Sequence, residues 1–320
     1  MQLGSGSPLL WGIFFAIVLV LLALDLGVFH RKAHEISSRE AGIWTVVWIT
    51  LALCFNAFIW WDLGGQKGLE FLTGYLIEKS LSVDNLFVMV LVFTSFAVPK
   101  IYQHRVLFWG ILGALVMRGI LIIIGAQLVE RFHFIIYVFG AFLVFSGARM
   151  LFAGEEEPDP QKNMALRLFR RFVPTTDQYE GQHFFVVRNG KRMATPLLAA
   201  LVVIEGMDLV FAVDSIPAIF AVTTDPYIVF TSNIFAILGL RALYFLLANV
   251  IEKFAHLKVG LAIILAYVGV KMLISGWYKI PVVVSLAIIV GVLATSVLTS
   301  ILANRREALL EKAAERKREA

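Results

Sequence analysis

The run Val203-Ile-Glu-Gly-Met-Asp-Leu-Val-Phe-Ala-Val-Asp-Ser-Ile-Pro-Ala218 places Glu205, Asp208 and Asp214 in an apolar stretch long enough to cross a bilayer. A carboxylate at mid-bilayer costs at least about 2.5–3.5 kcal/mol, so three of them require a compensating partner. Pro217 cannot donate to the carbonyl four residues back, which is expected to free the Val213 carbonyl beside Asp214. Carboxylates beside released backbone oxygen suit a hard metal cation. The plain alternative is a buried set of salt bridges that locks two helices together.

A second acidic run aligns with the first. Ser82-Val-Asp-Asn-Leu-Phe87 matches Ala212-Val-Asp-Ser-Ile-Pro217, and six residues before each Asp stands another carboxylate, Glu78 and Asp208. The segments that follow match too. Ile111-Leu-Gly-Ala-Leu-Val-Met-Arg118 pairs with Ile237-Leu-Gly-Leu-Arg241, and Phe145-Ser-Gly-Ala-Arg-Met-Leu151 with Val268-Gly-Val-Lys-Met-Leu273. Leu, Val and Gly match easily by chance; shared charged positions do not. Three helices are therefore expected to recur as three helices, with Asp84 and Asn85 approaching Asp214 and Ser215 at a pseudo-two-fold axis.

Helical phase constrains that picture. Glu78, Ser82 and Asn85 share a face, because seven residues advance about 700°, close to two turns. Glu205 and Asp208, three apart, are neighbours on one side. Asp84 and Asp214 fall about 120° from their upstream acids in regular helices, so a break or π-bulge would be needed to converge all the carboxylates. The candidate metal ligands are Glu78, Asp84, Asn85, Glu205, Asp208, Asp214 and Ser215. Arg118 and Arg241, near mid-span in paired helices, either hold those carboxylates ionised in the empty site or form fixed ion pairs. Asp25 and Asn56 are weaker candidates, and Asn233, with Thr231 and Ser232, reads as helix–helix glue.

The elements that must carry these groups follow from hydropathy. Apolar residues make up 59% of the chain, with 26 Phe among them, above the roughly 45–50% of a soluble domain. This predicts an all-α polytopic membrane protein of about nine spans, near 9–29, 41–61, 71–97, 106–129, 134–152, 196–222, 227–249, 257–275 and 282–302. The recurring elements are then helices 3–5 (repeat A, about 70–152) and 6–8 (repeat B, about 196–276), in opposite orientations. Such inverted repeats, with substrate sites near the midplane, are a secondary-transporter signature. Residues 1–303 form one membrane domain, and 304–320 form a charged tail. The first apolar run reads as a retained helix, since Met1–Ser7 carries no positive charge and no small-residue cleavage site follows.

Twenty of the 28 Lys and Arg fall in the odd-numbered loops and the tail, against Lys67, Arg131 and Lys279 in the even-numbered ones. This asymmetry puts the N-terminus outside and the C-terminus in the cytoplasm. It also accounts for the net charge of +5 without nucleic acid. The 153–195 loop is then cytoplasmic. It holds an acidic, Pro-containing run at 155–160, an amphipathic basic helix at 164–172 expected on the anionic inner leaflet, and a β-hairpin turning at Asn189-Gly190. The loop is a structural connector or a docking site for a protein partner. One cysteine, Cys54, rules out an intramolecular disulfide. No HxxxH, Cys cluster or Walker motif is present, so zinc chemistry, haem and ATP drive find no support. No enzymatic activity and no permanently bound cofactor are expected.

Phe71-Leu-Thr-Gly-Tyr-Leu-Ile-Glu-Lys-Ser-Leu-Ser-Val-Asp-Asn-Leu-Phe87 and Phe211-Ala-Val-Asp-Ser-Ile-Pro-Ala-Ile-Phe-Ala-Val222 resemble the signatures of the TerC family. The similarity extends through His183-Phe-Phe, Asn189-Gly and Asn233-Ile-Phe-Ala-Ile-Leu-Gly-Leu-Arg-Ala-Leu-Tyr-Phe245. Gly206-Met207 departs from the small or polar residues that relatives often carry there. The resemblance implies a bacterial inner-membrane protein of manganese homeostasis that exports Mn²⁺. It also brings an older label of tellurium-oxyanion resistance and a suggested redox-modulator role. Oxygen donors without thiolates suit Mn²⁺, whereas clustered Asp and Glu would repel an oxyanion. Protons are the expected counter-ion, since crowded carboxylates can exchange metal for H⁺.

Overall fold

The computed structural model describes residues 4–27, 37–132, 134–152, 164–188, 190–248 and 255–319. Its helices are α1 (Pro8–Gly27), α2 (Ser38–Leu63), α3 (Gly65–Ser95), α4 (Lys100–Arg131), α5 (Ile135–Phe152), α6 (Met164–Phe172), α7 (Pro196–Phe220), α8 (Pro226–Leu238), α9 (Leu240–Leu247), α10 (Ala255–Ile274) and α11 (Val282–Glu319). Strands β1 (Phe185–Arg188) and β2 (Lys191–Ala194) form an antiparallel hairpin pairing Phe185 with Ala194 and Arg188 with Lys191. Its turn includes Gly190 at φ +73, a conformation glycine adopts without steric cost; Asn189 lies outside the described residues. Five spans are long and apolar enough to cross a membrane: 38–63, 100–131, 196–220, 226–247 and 282–303. Shorter apolar helices cover 8–24, 135–151 and 259–274.

The helix starts are chemically specified. Ser37 accepts from the Glu40 amide at 3.2 Å, the first half of a capping box. Asp225 caps α8 through the Tyr227 amide at 3.1 Å, with Pro226 in the first turn. Thr195, ahead of α7, instead donates its hydroxyl to the His183 carbonyl at 2.8 Å and ties the hairpin to the helix. The charged tail continues α11 as helix to Glu319. The sequence predicts one span at 227–249; the structure interrupts it at Gly239 (φ −84, ψ 0).

The span formed by α8 and α9 is the central one, 83% buried, whereas the α11 span is 22% buried. Around it, α3 packs on α8, α4 on α7, α3 on α7 and α5 on α10. Phe14, Phe55, Phe71 and Phe235 fill the gap between α1, α2, α3 and α8, with Phe55 and Phe235 centroids 4.7 Å apart. The α5–α10 crossing is backbone to backbone. A Cβ on Gly147 would lie 2.7 Å from the Ala262 carbonyl, and one on Gly140 would lie 2.9 Å from that of Gly269. Only small residues allow so close an approach in a membrane.

Contacts identify two ends. At one, the Ser5 amide donates to both Asp225 carboxylate oxygens at 3.1 Å, and Lys67 bridges Asp225 (2.9 Å) and Glu70 (3.0 Å). At the other, the Tyr179 hydroxyl donates to the Phe96 carbonyl at 2.6 Å, and Arg105 lies over the Phe184 ring. Helix α6 packs there on α7, burying Leu166 and leaving Met164, Leu168 and Phe172 exposed.

Candidate functional site

Glu78, on α3, and Asp208, on α7, meet across a guanidinium supplied by α4. Arg118 donates through Nη1 to Glu78 Oε1, through Nη2 to Asp208 Oδ1 at 2.8 Å, and through Nε to Asp208 Oδ2 at 3.2 Å. Its Nη1 also reaches the Ser215 hydroxyl at 3.2 Å. All of this is sealed from solvent: relative exposure is 0% for Arg118, 1% for Glu78, 5% for Asp208 and 1% for Ser215. The fork-like guanidinium suits two carboxylates as an ammonium would not.

Two amides complete the arrangement. Asn85 donates Nδ2 to Asp208 Oδ1 at 3.1 Å, and Asn233, on α8, donates Nδ2 to Glu78 Oε2 at 3.0 Å. Facing a carboxylate, each amide must present its NH₂, which leaves its oxygen pointing elsewhere. Asn85 Oδ1 and Asn233 Oδ1 are both buried without a hydrogen-bond partner among the described residues. A bare buried acceptor is costly, and such oxygens are available ligands for a cation.

Glu205 stands one turn before Asp208. Its carboxylate lies over Gly113 of α4, where no side chain would fit, and its buried Oε2 is likewise without a partner among the described residues. Lys79, next to Glu78, donates to the Ala236 carbonyl at 3.2 Å and lies against Gly239. It thus satisfies one of the terminal carbonyls of α8. Beside Asn85 and Asp208 lies a small cavity of about 10 Å³, lined also by Val88, Met89, Ile204, Met207 and Phe211. Val88 and Met89 follow Asn85 along α3, and Met207 precedes Asp208 on α7, so the cavity lies on the hairpin side of the carboxylates.

Of the residues singled out in the sequence, the structure gathers Glu78, Asn85, Asp208, Ser215 and Arg118, with Glu205 adjacent. Asp214 turns elsewhere and accepts from the Ser146 hydroxyl of α5 at 2.8 Å. The cause is the helical phase: α7 runs unbroken through Pro217 to Phe220, so nothing rotates Asp214 toward Asp208. Arg241 is buried on α9. The side chains of Asp84 and Asp25 lie outside the described residues. Asn56 is buried on α2 with Oδ1 unpartnered. Asn233 enters as a site residue that the repeat alignment offered no reason to choose, because its counterpart position is apolar or Gly. Among the described residues, no group of three His, Cys, Asp or Glu stands close enough to hold a metal ion. In this arrangement Arg118 occupies the space between the acids.

Residues 63–308 match the profile of the integral membrane protein TerC family. The chain is 54% identical over 300 residues to an uncharacterized membrane protein of Myxococcus xanthus, covering 94% of both chains. It is 50% identical over 310 residues to Alx of Escherichia coli strain K12, covering 94% of this chain and 97% of that one. The name given to Alx proposes a membrane-bound redox modulator. No solved structure matches the chain significantly.

Proposed function

The chain belongs to the TerC family of integral membrane proteins, and on that premise we propose that it is a secondary transporter exporting a divalent metal cation, with Mn²⁺ the expected cargo. One observation carries this reading. A buried guanidinium holds together carboxylates from corresponding positions of two helices, beside amide oxygens that have no hydrogen-bond partner among the described residues. In the empty protein Arg118 supplies the positive charge that Glu78 and Asp208 require. A cation arriving with its own two charges competes for those carboxylates and finds Asn85, Asn233 and Glu205 oxygens ready to replace its water. Carboxylate and amide oxygens are the donors Mn²⁺ prefers.

Reciprocal packing supports an inverted repeat of α3–α5 and α7–α10. Exchanging the two copies turns the α3–α8 contact into the α7–α4 contact, and both occur. The alignment that pairs Arg149 with Lys271 also pairs Gly140 with Ala262 and Gly147 with Gly269. The Gly140–Gly269 contact thereby becomes Ala262–Gly147, and the helices touch at both places. Nine crossings, with the hairpin and C-terminus in the cytoplasm of the bacterial inner membrane, fit the charge asymmetry of the loops. The cavity on the hairpin side then faces the compartment from which an exporter draws its cargo.

The other readings find less to stand on. Arg118 is committed to two carboxylates, which removes it as a tellurium-oxyanion receptor. A redox role has only the Cys54 thiol, exposed on α2. Uptake of Mn²⁺, Ca²⁺, Zn²⁺ and tellurite by everted membrane vesicles tests the proposal. Mn²⁺ accumulation is expected in the wild type, with at least a tenfold loss in Glu78→Gln and Asp208→Asn at equal protein levels. Full uptake by both variants would overturn the assignment. Loss on deleting the hairpin alone, with those variants active, would favour a partner-docking protein.

A further inference from the structure

The ends of α3 and α8 away from the hairpin are held together by contacts that the carboxylate site does not use. Both helices run inward from this rim. Glu70 precedes Glu78 by eight residues on α3, and Asp225 precedes Asn233 by eight. At 1.5 Å per residue the rim therefore lies about 12 Å outside the Asn233–Glu78 bond. There the Lys67 ammonium crosses from α3 to the Asp225 carboxylate at 2.9 Å, and the Ser5 amide donates to both oxygens of that carboxylate at 3.1 Å. Residues 4–6 lie flat on the start of α8. A Cβ on Gly4 (φ +66) would stand 2.2 Å from Asp225 Oδ1, and one on Gly6 would stand 2.5 Å from the Tyr227 ring. Trp11 extends this seat, its ring 5.1 Å from that of Tyr227 between centroids. We propose that this cluster is the extracytoplasmic gate, in which Lys67–Asp225 latches the α3–α8 seam and the glycine strap seals it. The inference rests on the transport reading above, with the hairpin cytoplasmic, and adds the route by which the cargo leaves.

The seam beneath the latch is built to part. Between the site and the rim, Gly74 of α3 packs on Ser232 of α8, where an added Cβ would stand 2.8 Å from the hydroxyl oxygen. That hydroxyl donates to the Ile228 carbonyl of its own helix at 2.7 Å, so separating the helices there breaks no bond between them. Among the described residues, the remaining side-chain bonds from α3 to α8 are Glu78–Asn233 at the site and Lys79 to the Ala236 carbonyl inward of it. The inner bond serves as a pivot while the outer ends separate. Lys67 keeps 28% of its side chain exposed, and water competes effectively with a partly exposed ion pair. Glu70, 3.0 Å from Lys67 on the same helix, remains its partner once Asp225 is released. The Ser5 and Trp11 contacts lie on the α8 side, so the strap travels with α8 and Lys67 is the tie that breaks. A cation that draws Glu78 from Asn233 removes the next bond inward, which couples loading of the site to release of the seam.

The test reads opening separately from transport. In the full-length chain carrying Cys54→Ser, a reporter cysteine is placed in the seam as Ser232→Cys or away from it as Ser285→Cys, near the outer start of α11; both serines are buried, at 0% and 1% exposed. Intact cells are treated with a membrane-impermeant maleimide. Lys67→Met is expected to speed modification of Ser232→Cys at least tenfold and that of Ser285→Cys less than twofold, while Lys67→Arg, which keeps the charge, stays near the parent rate. An unchanged rate at Ser232→Cys overturns the latch, and an equal rise at both reporters overturns it in favour of general loosening. In proteoliposomes, Lys67→Cys/Asp225→Cys bridged by a short bifunctional thiosulfonate is expected to lose at least tenfold of its Mn²⁺ uptake and to regain it on reduction. Full uptake by the bridged protein overturns the gate while the transport reading stands. A wild type that moves no Mn²⁺ but keeps the contrast between the two reporters overturns the transport reading and leaves the latch.

Discussion

Removing the guanidinium of Arg118 would leave Glu78 and Asp208 facing each other inside the protein with no cation between them. Breaking a buried pair in this way costs about 3–5 kcal/mol. Arg118→Gln is therefore expected to lower the thermal unfolding temperature of the purified protein steeply. Asp214→Asn should cost only about 0.5–1.5 kcal/mol, since the amide oxygen can still accept from Ser146. At the opposite end, burial would raise the Asp225 carboxyl, but hydrogen bonds from Ser5 and Lys67 hold it below its usual value. Its contribution is thus present above the unfolded pKa of about 3.9 and is lost as pH falls through the lower folded value. The stability gap between wild type and Asp225→Asn should be full at neutral pH and close below about pH 4, as read by unfolding at a series of pH values. Glu78 and Asn85 were legible as one face because two turns of helix bring them into line. Asn233 was not, since an amide in an apolar helix has no periodicity to distinguish a ligand from packing glue.

Glycine marks the places where whole helices meet. A Cβ on Gly269 would stand 2.7 Å from both the Gly140 carbonyl and the Val144 amide, which are backbone atoms of α5 that cannot rotate away. Gly291 on α11 has open space instead. Gly269→Ala is expected to destabilise by about 1–3 kcal/mol or more through overpacking, and Gly291→Ala to be neutral or to stabilise by up to about 1 kcal/mol; folded yield and melting temperature report both. The positions of the apolar helices and the hairpin were readable from hydropathy and turn chemistry. The interruption at Gly239 was not, because a single residue at φ −84, ψ 0 leaves the apolar pattern on either side intact. Helix α6 was read as lying on lipid; it also buries Leu166 against the bundle, a docking that a nine-residue helix's own pattern does not reveal.

Across the molecule, contacts join segments far apart in sequence but expected on one side of the membrane: Ser5, Lys67 and Asp225 at one end, Phe96 and Tyr179 at the other. The principal partners of α3, α4 and α5 are α8, α7 and α10, so each half of the chain supplies the interior of the other. Two polypeptides, one ending at Phe152 and one beginning at Met164, should therefore complement each other. Co-expressed, they are expected to purify together and recover cation uptake; expressed alone, each should be degraded, its unpaired glycine faces and its half of the charge cluster opened to lipid. Such mutual dependence means that a damaged half can be rescued by an intact copy of that half supplied in trans.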